Sequence, residues 1–200
     1  MNYTEYKQLF EEILANPTYY SKESYMEYTR LNRSRMKRWD KLLVLDDSLS
    51  SRLKKITSPQ KWIIITEPWC GDAAHVIPFL VRMTELNELI SYDIQLRDSE
   101  PFLIDSYLTK GSKSIPKLII KDETDNDLFV WGPRPNGAAD VLANLKAKNA
   151  DSETIKIAIQ NWYNADKGKQ LMTELLQLCD RLKKVEKTGI DNQLSDINKG

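Results

Sequence analysis

The run Lys61–Thr66 (KWIIIT) constrains this chain more than any other stretch of its sequence. It is short, β-branched and apolar almost throughout, the pattern of a strand covered on both faces. A strand of that kind lies inside a sheet that has helices on either side. The residues that follow supply them. Gly71–Leu89 has helical periodicity, Tyr92–Arg97 alternates as a strand through Ile94 and Leu96, and Pro101–Thr109 suits a short helix with Pro101 in its first turn. Lys117–Lys121 is a strand, Asp122–Asp127 (DETDND) a polar turn, and Leu128–Trp131 a returning strand. The last connection is too short for anything but an antiparallel hairpin, while the helical crossovers permit parallel pairing. The expected class is α/β, a mixed sheet with helices on both faces.

Helical patterns also flank this unit. Residues 4–15 form a helix capped by Thr4 and stopped at Asn16-Pro17, because proline cannot continue the hydrogen-bond ladder. Residues 21–38 form a second helix, with Tyr25, Tyr28, Leu31 and Met36 as its apolar side, and Leu42–Ile56 suits a third. Ser58-Pro59 marks a boundary. After Asn136–Lys148 come Ser152–Asn164 and Lys169–Val185, the last with Leu171, Leu175, Leu178 and Leu182 on one packing stripe. The expected division is a helical extension at 1–58, the α/β domain at 59–150, a second helical extension at 151–187 and a polar tail at 188–200.

Composition narrows the partners. With 200 residues, 41% of them hydrophobic, the chain can bury one sizeable core. Lysine plus arginine equals aspartate plus glutamate, 29 against 29, so no overall field favours nucleic acid or an anionic membrane. The basic stretch Arg30–Arg38 is flanked by Glu23, Glu27 and Asp40 and reads as a solvated helix face. No stretch approaches the roughly 20 apolar residues of a membrane span. The start MNYTEYKQLFEE is too polar for a secretory signal. Two cysteines make no disulfide framework, and a reducing, cytoplasmic setting is expected. One histidine and two distant cysteines make no metal set, and no cofactor is expected.

The chemistry centres on Cys70. It directly follows the apolar strand and directly precedes a helix, so it faces that helix's free N–H groups and positive dipole end, both of which favour the thiolate. An accessible thiol with a pKa below the ~8.5 of a free cysteine is expected. Asp72 stabilises the helix start, or raises the Cys70 pKa through its negative charge, as Glu67 could also do. Arg134, in the rigid Pro133-Arg134-Pro135 turn after Trp131, either holds a carboxylate or offsets the acids near Cys70, or instead caps a helix C-terminus or pairs with a surface acid. His75 lies about 140° around an ideal helix from Cys70, poorly placed as its base, and is expected to be exposed or partner-facing. Cys179 lies in the apolar stripe of the last helix, as a packing residue.

Trp69-Cys70-Gly71-Asp72-Ala73 resembles the Trp-Cys-Gly-Pro-Cys site of thioredoxins. Pro78 matches the proline that kinks that family's first helix, and Ile115-Pro116 within Gly111–Leu118 its cis-proline dipeptide. The Trp-Cys-Gly-Asp start and Trp131–Pro135 (WGPRP) look like bacterial thioredoxin-like proteins. The resemblance implies a thioredoxin-like fold and a site at Cys70, with Trp69, Gly71, Asp72, Ala73, Ile115, Pro116, Trp131 and Arg134 meeting the substrate. Two departures cut into the activity. Ala73 stands at the resolving cysteine, and Ile64 at the family's buried aspartate. Two readings follow. One is a single-thiol redox protein that forms a mixed disulfide with a protein or small thiol, which another thiol releases. The other is a groove that holds an extended peptide without redox turnover. Retention of Cys70 at the helix start leans toward the first. The terminal helices suit a specialised partner surface or a homodimer.

Overall fold

Local signals set the helix starts in the computed structural model, which describes residues 1–181. Asn2 and Glu5 form a reciprocal capping box that opens α1, Tyr3–Ala15. Helix α2, Glu23–Leu42, follows, then α3, Asp47–Leu53, capped by the Asp46 carboxylate, which accepts from the Leu49 N–H. This cap explains why the third helix is shorter than expected: residues 43–46 leave the helical path before Asp46 restarts it. Strand β1, Gln60–Thr66, leads into α4, Gly71–Thr84, and then β2, Ile90–Leu96. Helix α4 ends before the expected Leu89. There the Asn87 amide donates to the carbonyls of Leu53 and Ile56, at 2.8 and 2.9 Å, and fastens the turn to the end of α3. Pro101–Thr109 yields only a short 3-10 turn, Leu103–Ser106. Strands β3, Lys117–Lys121, and β4, Asp127–Trp131, form the hairpin around Asp122, whose carboxylate accepts from the backbone of Thr124 and Asn126. Helices α5, Asn136–Ala147, and α6, Ser152–Asp166, follow, and a further helix, α7, occupies 169–181. Leu182, the end of the expected C-terminal extension and the polar tail lie outside the described residues.

The sheet order is β2-β1-β3-β4. Strand β1 runs parallel to β2 and antiparallel to β3, and β4 closes the hairpin antiparallel to β3. Ile64 lies between Ile94 and Leu118, at the centre of the sheet. Helices flank both faces, as the continuous burial of Trp62–Thr66 requires. One core joins everything: Tyr6, Phe10, Met36, Trp39, Leu49 and Leu53 from α1–α3, and Leu171, Met172, Leu175 and Leu178 from α7, pack with the sheet and α4.

Helix α2 departs from its expected face. Its buried side is Met26, Thr29, Asn32, Met36 and Trp39, while Leu31 is 51% exposed. Trp39 and Met36 turn inward because α2 packs on α4, with the Trp39 and Phe79 rings 5.3 Å apart. Tyr25, Tyr28 and Leu31 are thereby left along a groove. The basic stretch is largely engaged: Arg33 pairs with Glu11 at 2.5 Å, and Arg38 donates to Asn164 at 2.7 Å. Among the described residues no helix is long and apolar enough to cross a membrane, and no cluster of His, Cys, Asp or Glu could hold a metal ion.

Candidate functional site

Strand β1 delivers the chain to Glu67-Pro68-Trp69, and a tight turn, Cys70 N–H to Glu67 carbonyl at 3.0 Å, sets Cys70 as the N-cap of α4. The thiol is not open to solvent. Cys70 is 7% exposed, and its Sγ donates to the Ile115 carbonyl at 3.4 Å. The Ile115–Pro116 bond is cis. Burial, and then the Asp72 charge, push the thiol up to about 12, against the backbone N–H groups of Ala73 and Asp72 and the more distant Arg134. An accessible thiol of lowered pKa was the expectation, and the geometry reverses it. The helix terminus does act in the expected direction. Desolvation outweighs it, because the thiolate would form in a nearly dry site. Ala73 and Ile64 are buried, and neither side chain carries a group that could manage a second proton.

Asp72 anchors the surroundings. It accepts from Tyr163 Oη at 2.7 Å and from Arg134 Nη2 at 2.6 Å. The Arg134 pairing offsets an acid beside Cys70, one of the alternatives open for it. Burial raises the Asp72 pKa, and the Arg134 charge opposes that shift. Arg134 keeps Nε and Nη1 buried with no hydrogen-bond partner.

His75 is buried, which overturns the exposed alternative expected for it, and it borders the groove beside Cys70, which leaves the partner-facing one open. Its Nδ1 accepts from Trp39 Nε1 at 2.8 Å. An indole only donates, so the proton of the neutral ring sits on Nε2, which donates to Gln160 Oε1 at 3.1 Å. The ring stacks on Tyr163, with centroids 4.4 Å apart, and burial lowers its pKa to about 4. Every polar atom of this imidazole is occupied, which removes it as a base for Cys70.

Trp69 is clamped between the Tyr25 ring, stacked at 4.5 Å, and the Arg97 guanidinium, 4.6 Å from the indole. Gly71 lies beneath Arg35 of α2, whose Nη1 would stand 3.6 Å from a Cβ at that position. Glu67 is buried, accepts from the Asp98 N–H at 2.9 Å, and is pushed by burial up to about 7. Cys179 is half-buried in α7, beside Arg52, and burial raises its thiol to about 11.

These groups meet in a groove of about 870 Å³ whose floor includes Cys70, Asp72 and Ile115. Its walls come from the flanking helices: Tyr28 and Leu31 of α2, Ile157 and Gln160 of α6. Trp69, Gly71 and Arg134 also line it, whereas Ala73, Pro116 and Trp131 do not. Trp131, expected at the substrate, instead donates its Nε1–H to Glu174 of α7 at 2.7 Å and pins that helix to β4. Sequence reasoning missed Tyr163, Arg35 and Gln160. They sit on helices far along the chain from Cys70, and no local motif marks them.

A protein-family model described as thioredoxin matches residues 19–148. No curated protein matches the chain. Among solved structures, an HIV epitope-scaffold is 16% identical, covering 90% of this chain and 98% of its own, with a TM-score of 0.51. A protein of unknown function from Pseudomonas aeruginosa is 18% identical over 84% of this chain and 99% of its own, TM-score 0.44. The NTD_N/C domain of alkylhydroperoxide reductase AhpF from Enterococcus faecalis is 22% identical over 52% of this chain and 50% of its own, TM-score 0.38. The family match begins ahead of α2, ends just past α5 and takes in the whole sheet together with Cys70 and Pro116, and by it this chain belongs to the thioredoxin family.

Proposed function

We propose that this chain is a thioredoxin-fold binding module, which holds an extended partner segment in the groove beside Cys70 and Ile115 without redox turnover. The state of the Cys70 thiol carries this reading. It is buried, donates to the Ile115 carbonyl and is raised to about 12, so at neutral pH it is a protonated packing group rather than a nucleophile. Ala73 offers no sulfur to resolve an adduct, and no free imidazole lies near. The groove is built meanwhile, with apolar walls and a rigid indole at its rim.

One observation favours a second reading. The N–H groups of Asp72 and Ala73 lie close enough to Cys70 to stabilise a thiolate. In single-thiol exchange that thiolate would attack a partner disulfide. One partner sulfur would bond to Cys70, the other would leave as a thiolate, and an external thiol would release the adduct.

Alkylation of Cys70 against pH, with Cys70→Ser as the blank, separates the two. The binding reading expects slow alkylation at neutral pH, rising only in strong alkali. It also expects no insulin reduction with dithiothreitol by the wild type or by Ala73→Cys. Rapid alkylation at neutral pH, or insulin turnover by the wild type with dithiothreitol releasing the adduct, would replace it with single-thiol exchange, and turnover by Ala73→Cys alone would show that the Cys70 thiol can react once a resolving sulfur is supplied.

A further inference from the structure

The groove carries a charge pattern that the whole chain does not. Lysine plus arginine balance aspartate plus glutamate overall, 29 against 29, yet Arg35, Arg97, Lys113, Arg134, Lys146 and Lys156 border the groove against only Asp72 and Glu153. Four of these cations are already paired: Arg134 with Asp72 and Lys156 with Glu153 inside the groove, Arg97 with Asp98 and Lys113 with Asp105 from outside it. Arg35 and Lys146 have no carboxylate within ion-pairing distance among the described residues. Arg35 donates only to the neutral Asn32 side chain, at 2.8 Å, although it is half-buried and burial lowers its pKa. The carboxylate that offsets its charge through space is Asp72, which is already bonded to Arg134 and Tyr163, so this desolvated guanidinium remains a seat for a carboxylate from outside.

The second part of the pattern is apolar. Leu31 of α2 and Ile157 of α6 both line the groove and are 51% and 53% exposed. Tyr28 stands beside them, with Lys156 Nζ 5.1 Å from its ring centre. Leucine and isoleucine held half-open along a concave surface are the kind of apolar patch that a ligand covers.

We propose that the groove takes an extended segment of a partner protein that combines aliphatic side chains with several carboxylates, one of which meets Arg35. This deepens the binding-module reading and rests on it. A peptide fits better than a fatty acid because the unpaired cations, Arg35 and Lys146, sit on different helices, α2 and α5. A ligand with one carboxylate can answer only one of them, whereas a chain with acids at intervals answers both. The walls belong to α2 and α6 rather than to the sheet, so the preference is a property of the flanking helices.

Selection from a phage-displayed random peptide library tests this, with full-length protein as target and Ile157→Asp as counter-target. The enriched peptides are then measured by fluorescence anisotropy at low and high salt, and against Arg35→Gln. The expected result is enrichment of aliphatic sequences rich in Asp and Glu. Their affinity should fall about tenfold or more in Arg35→Gln, and again in high salt. Unfolding midpoints of both variants should match the wild type, and the salt dependence reads the same charge without any substitution. Peptides enriched without acidic bias and indifferent to salt would overturn the inference and leave the binding module standing. No enrichment over Ile157→Asp would overturn the binding module itself, and the inference with it.

Discussion

His75 and Glu67 are buried titratable side chains whose shifts have opposite consequences. The unfolded imidazole titrates near 6.5 and the folded one at about 4, so between those values the unfolded chain binds a proton that the folded chain refuses. Stability is therefore full above the unfolded value and declines as pH falls through the folded one, by roughly 3 kcal/mol in all. Glu67 runs the other way. Its folded value of about 7 exceeds the ordinary 4.5, so its contribution is present at low pH and is lost as pH rises through 7. Between about 4.5 and 6.5 the two slopes oppose each other. Urea midpoints followed across that window should be nearly flat for the wild type. They should fall toward acid in Glu67→Gln and rise toward acid in His75→Gln. A steep wild-type slope of either sign would show that one of the two groups is not buried as described. The same pair shows what single residues in the sequence could tell. Cys70 at the strand-to-helix junction, Asp72 beside it and Arg134 as a carboxylate partner were legible, because motif and spacing carry them. The burial of His75 and of the thiol was not. Desolvation of His75 depends on Trp39, Tyr163 and Gln160, which reach it from other helices, and the thiol meets the Ile115 carbonyl from a segment 45 residues away.

At the scale of elements, the strands and the antiparallel β3–β4 hairpin were legible from the β-branched run, the alternation and the short polar turn, whereas the order β2-β1-β3-β4 and the antiparallel pairing of β1 with β3 were not. Loop length is written locally, but which strands become neighbours across a long connection is not. Helix faces were harder to read. In α2 the tyrosines, Leu31 and Met36 looked like the apolar side, but of these only Met36 is buried, and the helix turns Met26 and Trp39 inward and packs the polar Thr29 and Asn32 with them. Asn32 can be buried there because its amide donates to the Pro68 carbonyl at 2.9 Å, a partner more than thirty residues away along the chain. The joint between α6 and α7 depends on a single residue type. Lys167 and Gly168 both take positive φ, 55° and 79°, and the Phe79 ring fills the space a Gly168 side chain would need. Gly168→Ala should cost at least roughly 1–2 kcal/mol through backbone strain alone, with the clash in addition. That corresponds to a drop of roughly 2–8 °C in the melting midpoint for a chain of this size. An unchanged midpoint would mean that the joint can reorganise without Phe79.

For the whole molecule, the question is whether residues 59–150 stand alone. Tyr6, Phe10, Met36, Trp39, Leu49 and Leu53 are buried almost completely, and all precede the sheet. Removing them from water stabilises the fold by about 1.5–3 kcal/mol each. Their sum is comparable to the ~5–15 kcal/mol net stability of an entire domain. A fragment of residues 59–150 should therefore show a collapsed, poorly dispersed amide NMR spectrum, while the full chain shows a dispersed one. A well-dispersed fragment spectrum would make the flanking helices true additions to an independent unit. The sequence placed those helices but not their necessity, since an amphipathic stripe does not say what it covers. Helix α7 extends the same dependence to the other end of the chain. Glu174 receives the Trp131 indole proton, and Leu171 and Leu175 close the core. During synthesis on a ribosome, then, strands and α4 emerge long before the helix that seals them. The nascent chain therefore cannot close its core until α7 has cleared the exit tunnel, so completion of the fold waits on a helix more than a hundred residues downstream of β1.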